Sequence, residues 1–106
     1  MQIQNEQKAF GLLGFAARAR KLAFGAQAVE QAIKREKAML VIADEQMSDG
    51  SYSKLKNACE YRNIPLIKLQ QPGHAAGKAE AMSIAVLDKG FATGIIKATQ
   101  VLEKRG

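Results

Sequence analysis

The spacing of hydrophobic positions changes several times along the chain, and each spacing predicts one type of element. Apolar runs of strand length occupy 38–44 (AMLVIAD) and 82–88 (MSIAVLD), as expected of strands that are covered on both faces. The segment 63–69 (NIPLIKL) is predicted to be a further strand. Pro65 belongs at the beginning of its strand or on a sheet edge, because proline cannot donate a ladder hydrogen bond. A further short strand is predicted around 22–24.

The segments between these runs show helical spacing, most clearly over 26–36. The predicted buried stripe of that helix is Ala28, Val29, Ala32 and Ile33. Its polar face carries Gln27, Gln31 and Lys34, one turn apart. The sequence therefore predicts an amphipathic helix whose polar line leads away from its N-terminus.

Helices are also predicted on either side of these strands. Over 5–20 the apolar positions are Phe10, Leu13, Phe15 and Ala17. Ser51 or Ser53 is the expected cap of a helix that runs to about Arg62, and a last helix follows Gly90 as far as Leu102. A Gly-rich turn within 70–81 leads into a short helix. Alternating helices and strands predict an α/β fold, a three-layer α/β/α sandwich with a mixed sheet of about four strands. We expect a single domain over 1–106.

The helix at 26–36 begins without a side chain that can cap it, since Gly25, Ala26 and Gln27 precede its apolar stripe. The first N–H groups of a helix have no partner inside it, and Ser, Thr or Asp side chains usually supply one. Glycine and water are a sufficient cap in many helices. Alternatively, these donors and the positive helix end are left free for an anion such as phosphate.

Charge favours a polyanionic partner. The chain has 16 Lys and Arg against 10 Asp and Glu, a net charge of +6, and a pI of about 9.7. Residues 1–37 contain seven basic and three acidic residues. The single cysteine excludes an internal disulfide. We expect a cytoplasmic protein, because neither a signal peptide nor an apolar run of membrane-spanning length is present.

Residues able to carry catalysis are few. Cys59 stands on the apolar stripe of its helix and is expected to be a buried structural thiol. His74 has no Cys or His at ligand spacing, so no metal site is expected. Asp44 is an acidic residue that follows a predicted strand. No phosphate-loop motif is present, since "GLLG" and "GFATG" lack its spacing and its Lys. We expect neither an enzyme nor a cofactor.

Four motifs carry a resemblance over roughly residues 10–100. They are RARK-x-x-x-G at 18–25, Ile-Pro at 64–65, Ala-Gly-Lys at 76–78 and Asp-x-Gly-Phe at 88–91. With the surrounding segments, the chain resembles the ribosomal protein L7Ae family, and most closely its small bacterial YlxQ-like members. The resemblance implies an RNA-binding, ribosome-associated protein that recognises kink-turns, which are sharply bent duplexes built around tandem sheared G·A pairs.

The resemblance also implies two contact surfaces. The first is the start of the second helix, with Gly25, Ala26, Gln27, Ala28 and Gln31, and with Lys21 and Lys34 alongside. The second is the loop Gln71, Pro72, Gly73 and His74, which covers bases flipped from the bend. The expected partners are RNA and the ribosome, with no membrane, and we expect a monomer.

The helix start departs from the pattern of many family members, which carry an Asn-Glu pair followed three residues later by Lys. The matching positions are Gln27, Ala28 and Gln31. Gln27 and Gln31 retain hydrogen-bonding capacity, whereas the acidic acceptor and the cation are lost. Two alternatives stay open from the residues alone. The polar line could be an ordinary solvated helix face, or the domain could be a protein-interaction or accessory module with weak, non-specific RNA binding.

Overall fold

The computed structural model describes residues 6–99, and within that range it contains five helices and four strands. The helices are α1 (Glu6–Arg18), α2 (Ala26–Lys34), α3 (Asp49–Tyr61), α4 (Pro72–Ala76) and α5 (Lys89–Ala98). The strands are β1 (Leu22–Phe24), β2 (Leu40–Asp44), β3 (Leu66–Leu69) and β4 (Ser83–Val86). The predicted Leu102 lies outside the described residues. Among the described helices, none is long and apolar enough to span a membrane.

The strands form one mixed sheet in the order β1-β4-β2-β3. β4 is antiparallel to both β1 and β2, and β3 is parallel to β2. The two central strands β2 and β4 are buried at every position, as the uninterrupted apolar runs predicted. Pro65 directly precedes β3, an edge strand, in agreement with its missing N–H.

Helices cover both faces of the sheet and form two hydrophobic cores. α1, α4 and α5 cover one face, where Leu13 and Ile95 pack against alternate residues of the central strands such as Ile42 and Ile84. α2 and α3 cover the other face, where Val29 and Cys59 pack against Val41 and Ala85. The predicted three-layer α/β/α sandwich is confirmed.

Local predictions failed where a helix boundary or a helix face was involved. Ser48, not Ser51 or Ser53, caps α3, because its extended backbone directs its Oγ to accept from the Ser51 N–H at 3.3 Å. Ala28 is exposed rather than buried, since Val29, Ala32 and Ile33 already complete the buried stripe of α2. Phe15 is 57% exposed because Ala9, Leu13 and Ala16 form the buried face of α1.

Candidate nucleic-acid interface

Several connections meet at one edge of the sheet, which we call the upper edge. It is defined by the strand ends Phe24, Asp44, Leu69 and Ser83, which the strand register places side by side. Backbone hydrogen bonds join the connections there: the Gly25 N–H donates to the Ser83 carbonyl at 2.9 Å, and the Asp44 N–H donates to the Met82 carbonyl at 2.9 Å. The start of α2 and the loops around α4 therefore lie on the same edge.

α2 begins at this edge without a side-chain cap. Gly25 is the N-cap, with φ 90° and ψ 161°, and no side chain within residues 6–99 caps the helix start by a hydrogen bond. The N–H groups of Ala26, Gln27 and Ala28 have no partner within the helix by its geometry, and all three residues are exposed. Because the helix dipole adds about half a positive charge here, the start of α2 is suited to acceptor groups of a ligand.

Gln31 continues this surface, whereas Lys34 lies at the far end of α2. Gln27, Gln31 and Lys34 are all exposed and follow one another along the helix, as predicted. The Lys34 Nζ lies 3.6 Å from a Glu30 carboxylate oxygen, so its charge already has a partner. An exposed ion pair of this type is weak, and RNA phosphates could compete for the lysine.

The loop after β3 contributes two accessible side chains of the four predicted. Gln71 adopts the left-handed conformation at φ 48° and both Gln71 and His74 are exposed. Pro72 and Gly73 are buried, and a Cβ on Gly73 would come within 2.7 Å of the Ala81 carbonyl oxygen. Pro72 and Gly73 therefore shape the turn, Gln71 and His74 are its accessible side chains, and the contact of this loop with RNA stays a prediction.

Lys21 does not lie beside the start of α2, contrary to expectation. Leu22 pairs with Val86 at the opposite end of β1, and the Lys21 carbonyl accepts the Leu87 N–H at 2.8 Å. The length of β1 therefore separates Lys21 from Gly25. Proximity in sequence was misleading because the intervening residues form an extended strand, which advances about 3.3 Å per residue.

The structure adds neighbours that the sequence pattern did not indicate. A groove of about 200 Å³ runs between α2 and α3 beside Ala26, and Met47 and Lys54 line it. The Lys78 Nζ lies 5.7 Å from the centre of the Phe24 ring, directly before the start of α2. The carboxyl ends of β1 and β2 lie at the same edge, on either side of β4, and Ala26 and Met47 line the same groove there.

The residues considered for catalysis are not assembled into a site. Cys59 packs in the core beneath α2 and α3, whereas His74 belongs to α4 on the opposite sheet face. Burial raises the pKa of the Cys59 thiol from 9.0 to about 11, which disfavours the nucleophilic thiolate. Asp44 is buried, and its Oδ1 accepts the Gln46 N–H at 2.8 Å. Within residues 6–99 no cluster of three metal-ligating side chains occurs.

Comparisons with known proteins agree with this fold. The family model of the ribosomal protein L7Ae/L30e/S12e/Gadd45 family matches residues 7–102. The RNA-binding protein YlxQ of Bacillus subtilis (strain 168) is 36% identical over 90 residues, which cover 82% of this chain and 90% of that protein. The RNA-binding protein YlxQ of Enterococcus faecium is 32% identical over 91 residues, which cover 83% of this chain and 87% of that protein.

Solved structures show the same fold. A Bacillus halodurans protein of unknown function is 33% identical and superposes with a TM-score of 0.83, with coverage of 88% of this chain and 97% of the other. The Giardia lamblia 15.5kD RNA binding protein superposes with a TM-score of 0.73 at 20% identity, with coverage of 92% of both chains. At that identity the second likeness concerns the fold alone.

Proposed function

Because this chain belongs to the ribosomal protein L7Ae/L30e/S12e/Gadd45 family, we propose that it is an RNA-binding protein that acts as a single domain and associates with the ribosome. Its target is a kink-turn or a related bent RNA. The names of the two YlxQ relatives, both RNA-binding proteins, support the partner class.

The uncapped start of α2 is the observation that carries the proposal. Sharply bent RNA widens or disrupts the groove near the bend, so that a helix end can approach base edges that an A-form helix conceals. Gly25, Ala26 and Ala28 are small, and they allow the backbone N–H groups to come close to RNA acceptors. Gln27 and Gln31 supply side-chain donors and acceptors along the same exposed line.

The loop around α4 would form the second contact. Gln71 and His74 are exposed near the same edge, and His74 offers a flat ring on which a base flipped out of the bend can stack. Lys78, above Phe24, is positioned between this loop and the start of α2, where it can contact a phosphate. Together these groups would recognise RNA by shape and hydrogen bonding at the bend.

The first test compares two RNAs that differ only at the bend. A kink-turn RNA and the same RNA with its tandem G·A pairs replaced by Watson–Crick pairs are titrated by calorimetry at several salt concentrations. We expect a clear preference for the kink-turn RNA that persists as salt increases, because shape and neutral hydrogen bonds are less screened than phosphate contacts. Equal affinities at every salt concentration would contradict recognition of the bend.

Added bulk at Ala28 tests whether the start of α2 forms the contact. Ala28 is exposed, so Ala28→Trp should leave the fold intact, while its indole ring, which is larger than the Glu of many family members, holds the helix start away from the RNA. We expect about tenfold weaker kink-turn binding, or about 1.4 kcal/mol. Ala19→Trp, also at an exposed alanine but beyond the C-terminal end of α1, is the matched control and should bind normally. Equal effects of the two variants would remove the start of α2 from the site.

Restoration of the missing cation tests the position of Gln31 relative to RNA. Gln31→Lys should strengthen kink-turn binding severalfold, since a lysine on this line can pair with a phosphate or a base edge. Gln7→Lys adds the same charge at an exposed position of α1 and should have a smaller effect. If both lysines strengthen binding equally, the gain is general electrostatic attraction, and Gln31 does not face the RNA.

A further inference from the structure

The positive charge of the described chain is concentrated at the end of the sheet opposite the start of α2. We call this end the lower edge, defined by the strand ends Leu22, Leu40, Leu66 and Val86. Six cations occupy the connections there and form what we call the lower-edge basic patch: Arg20, Lys21, Arg35, Lys37, Arg62 and Lys89. The upper edge, in contrast, combines Lys54, Lys68 and Lys78 with three exposed acids, Glu45, Asp49 and Glu80.

The backbone brings these connections together. β1 and β2 both start opposite Val86, and the Val41 N–H donates to the Pro65 carbonyl at 2.9 Å. The turns that follow α1, α2 and α3 are tight, each with one non-glycine residue in the left-handed conformation. Since neighbouring strands lie about 4.8 Å apart, the row of turns across four strands spans about 15 Å.

Most cations of the lower-edge basic patch form no ion pair with an acidic side chain within residues 6–99. The Glu36 carboxylate pairs with Arg62 at 3.4 Å, and the Asp88 Oδ2 accepts the Phe91 N–H at 3.0 Å. The other five cations are exposed and form no ion pair within residues 6–99. The helix dipole explains cations that follow helix C-termini, but Lys89 stands at a helix N-terminus, where a cation is unfavourable. A function beyond helix stabilisation is therefore indicated.

An exposed aromatic ring lies beside this patch. Tyr61 is 83% exposed, and the Arg62 Cζ lies 5.8 Å from its ring centre. Tyr61 and Met39 border an open cleft of about 850 Å³, whose floor includes Ile64 and Pro65. The ring is exposed because Tyr61 is the last residue of α3, at the end of the core.

We propose that the lower edge binds a single-stranded segment of RNA, separately from the proposed kink-turn surface. Phosphates contact Arg20, Lys21, Arg35, Lys37 and Lys89, while a base stacks on Tyr61 at the mouth of the cleft. A cationic track combined with an exposed aromatic ring is the arrangement by which proteins bind single strands without base-specific hydrogen bonds. The surface is therefore tolerant of sequence, and its affinity depends strongly on salt.

Salt titration with a short, unstructured single-stranded RNA tests the cationic track. The triple variant Arg35→Gln, Lys37→Gln and Lys89→Gln should reduce the slope of log affinity against log salt by about two, at about 0.7 per lost phosphate contact. The matched control is Lys8→Gln, Lys56→Gln and Lys97→Gln, which removes three exposed lysines from other parts of the described chain and should change the slope by less than one. Equal changes in the two triples, or no binding by the parent protein, would overturn the proposal.

Substitution of Tyr61 gives a second test, because it changes the RNA affinity without a change in charge. Tyr61→Ala should weaken binding of the single-stranded RNA severalfold, whereas Tyr61→Phe, which keeps the ring, should bind as the parent does. High exposure of Tyr61 makes both variants compatible with the fold. Equal binding by the alanine and phenylalanine variants would contradict base stacking. Polyglutamate that binds as tightly as the RNA would instead assign the patch to an acidic protein partner.

The preference for kink-turn RNA over its Watson–Crick counterpart distinguishes the two surfaces. The lower-edge triple should keep this preference while it loses single-strand binding. Ala28→Trp should lose the preference for kink-turn RNA but keep single-strand binding. If Ala28→Trp has no effect but the triple loses single-strand binding, the proposed function fails while the lower-edge proposal stands.

Discussion

At the scale of single residues, Cys59 is the group whose ionisation the fold changes most clearly. Its side chain is 1% exposed in the core beneath α2 and α3. Burial raises the pKa of the thiol to about 11, because the thiolate would lose its hydration there. Cys59 therefore acts as a small apolar core residue at physiological pH. Its ionisation affects the free energy of unfolding only at high pH.

We predict that the contribution of Cys59 to stability decreases between about pH 9 and pH 11. The unfolded chain releases the thiol proton near pH 9.0, whereas the folded protein retains it to about pH 11. Between these values the unfolded state binds fewer protons, so the free energy of unfolding falls as pH rises, by about 2 kcal/mol in total. Below pH 9 the contribution is fully present.

Urea unfolding of the parent and of Cys59→Ala from pH 8 to pH 11 measures this change. All other ionisable groups are common to both proteins, so the difference between the two unfolding free energies isolates the thiol. The advantage of the parent at pH 8 should shrink as pH rises. A constant difference over the whole range would show that the folded thiol ionises as readily as the unfolded one.

At the scale of elements, the start of α2 depends on a backbone conformation rather than on a side chain. Gly25 combines φ 90° with ψ 161°, a region that L residues rarely adopt, and its N–H donates to β4 through the Ser83 carbonyl. A Cβ at this position would meet no atom within 4 Å. Any penalty for substitution is therefore conformational and not steric.

We predict opposite effects of the same substitution at two glycines. Gly25→Ala should lower the free energy of unfolding by about 1–3 kcal/mol because it forces alanine into this conformation. Gly11→Ala, which also places its Cβ in open space but lies inside α1, should raise it by about 0.5–1 kcal/mol through better helix propensity. Chemical denaturation of both variants checks the pair, and a loss of stability at Gly11 would contradict the reasoning.

At the scale of the whole molecule, the two proposed RNA surfaces face in opposite directions. The start of α2 follows the upper end of β1, and Lys21 precedes its lower end. The sheet and its covering helices separate them, so a ligand at one edge leaves the other edge accessible. This arrangement suits a protein that holds two RNA segments together.

We predict that kink-turn RNA and a short single-stranded RNA bind simultaneously. In a native gel or by two-colour fluorescence, a complex of protein with both RNAs should form, and saturating kink-turn RNA should weaken single-strand binding by less than about twofold. Arg35→Gln with Lys37→Gln and Lys89→Gln should abolish the three-component complex but retain the kink-turn complex. Full competition between the two RNAs would show that they share one surface.

The sequence by itself determined the type and order of the elements. Uninterrupted apolar runs marked the buried strands, helical spacing marked the covering helices, and the absence of a capping side chain near Gly25 marked the uncapped start of α2. These features depend on residues that are close in the chain, so local propensity and periodicity are sufficient to predict them. Errors arose at the cap of α3, which is Ser48, three residues before the nearer predicted serine, and at Ala28, which lies next to the buried face of α2.

Only the tertiary structure decided which residues share a surface. β4 inserts between β1 and β2, so strand pairing places Lys21 at the same edge as Lys37 and Lys89. It also separates Lys21 from Gly25, which is only four residues away in the chain. Pro72 and Gly73 became buried for the same reason, because the α4 turn packs against the segment before β4. Apolar spacing carries no information on strand order, and strand order determines which turns meet at an edge.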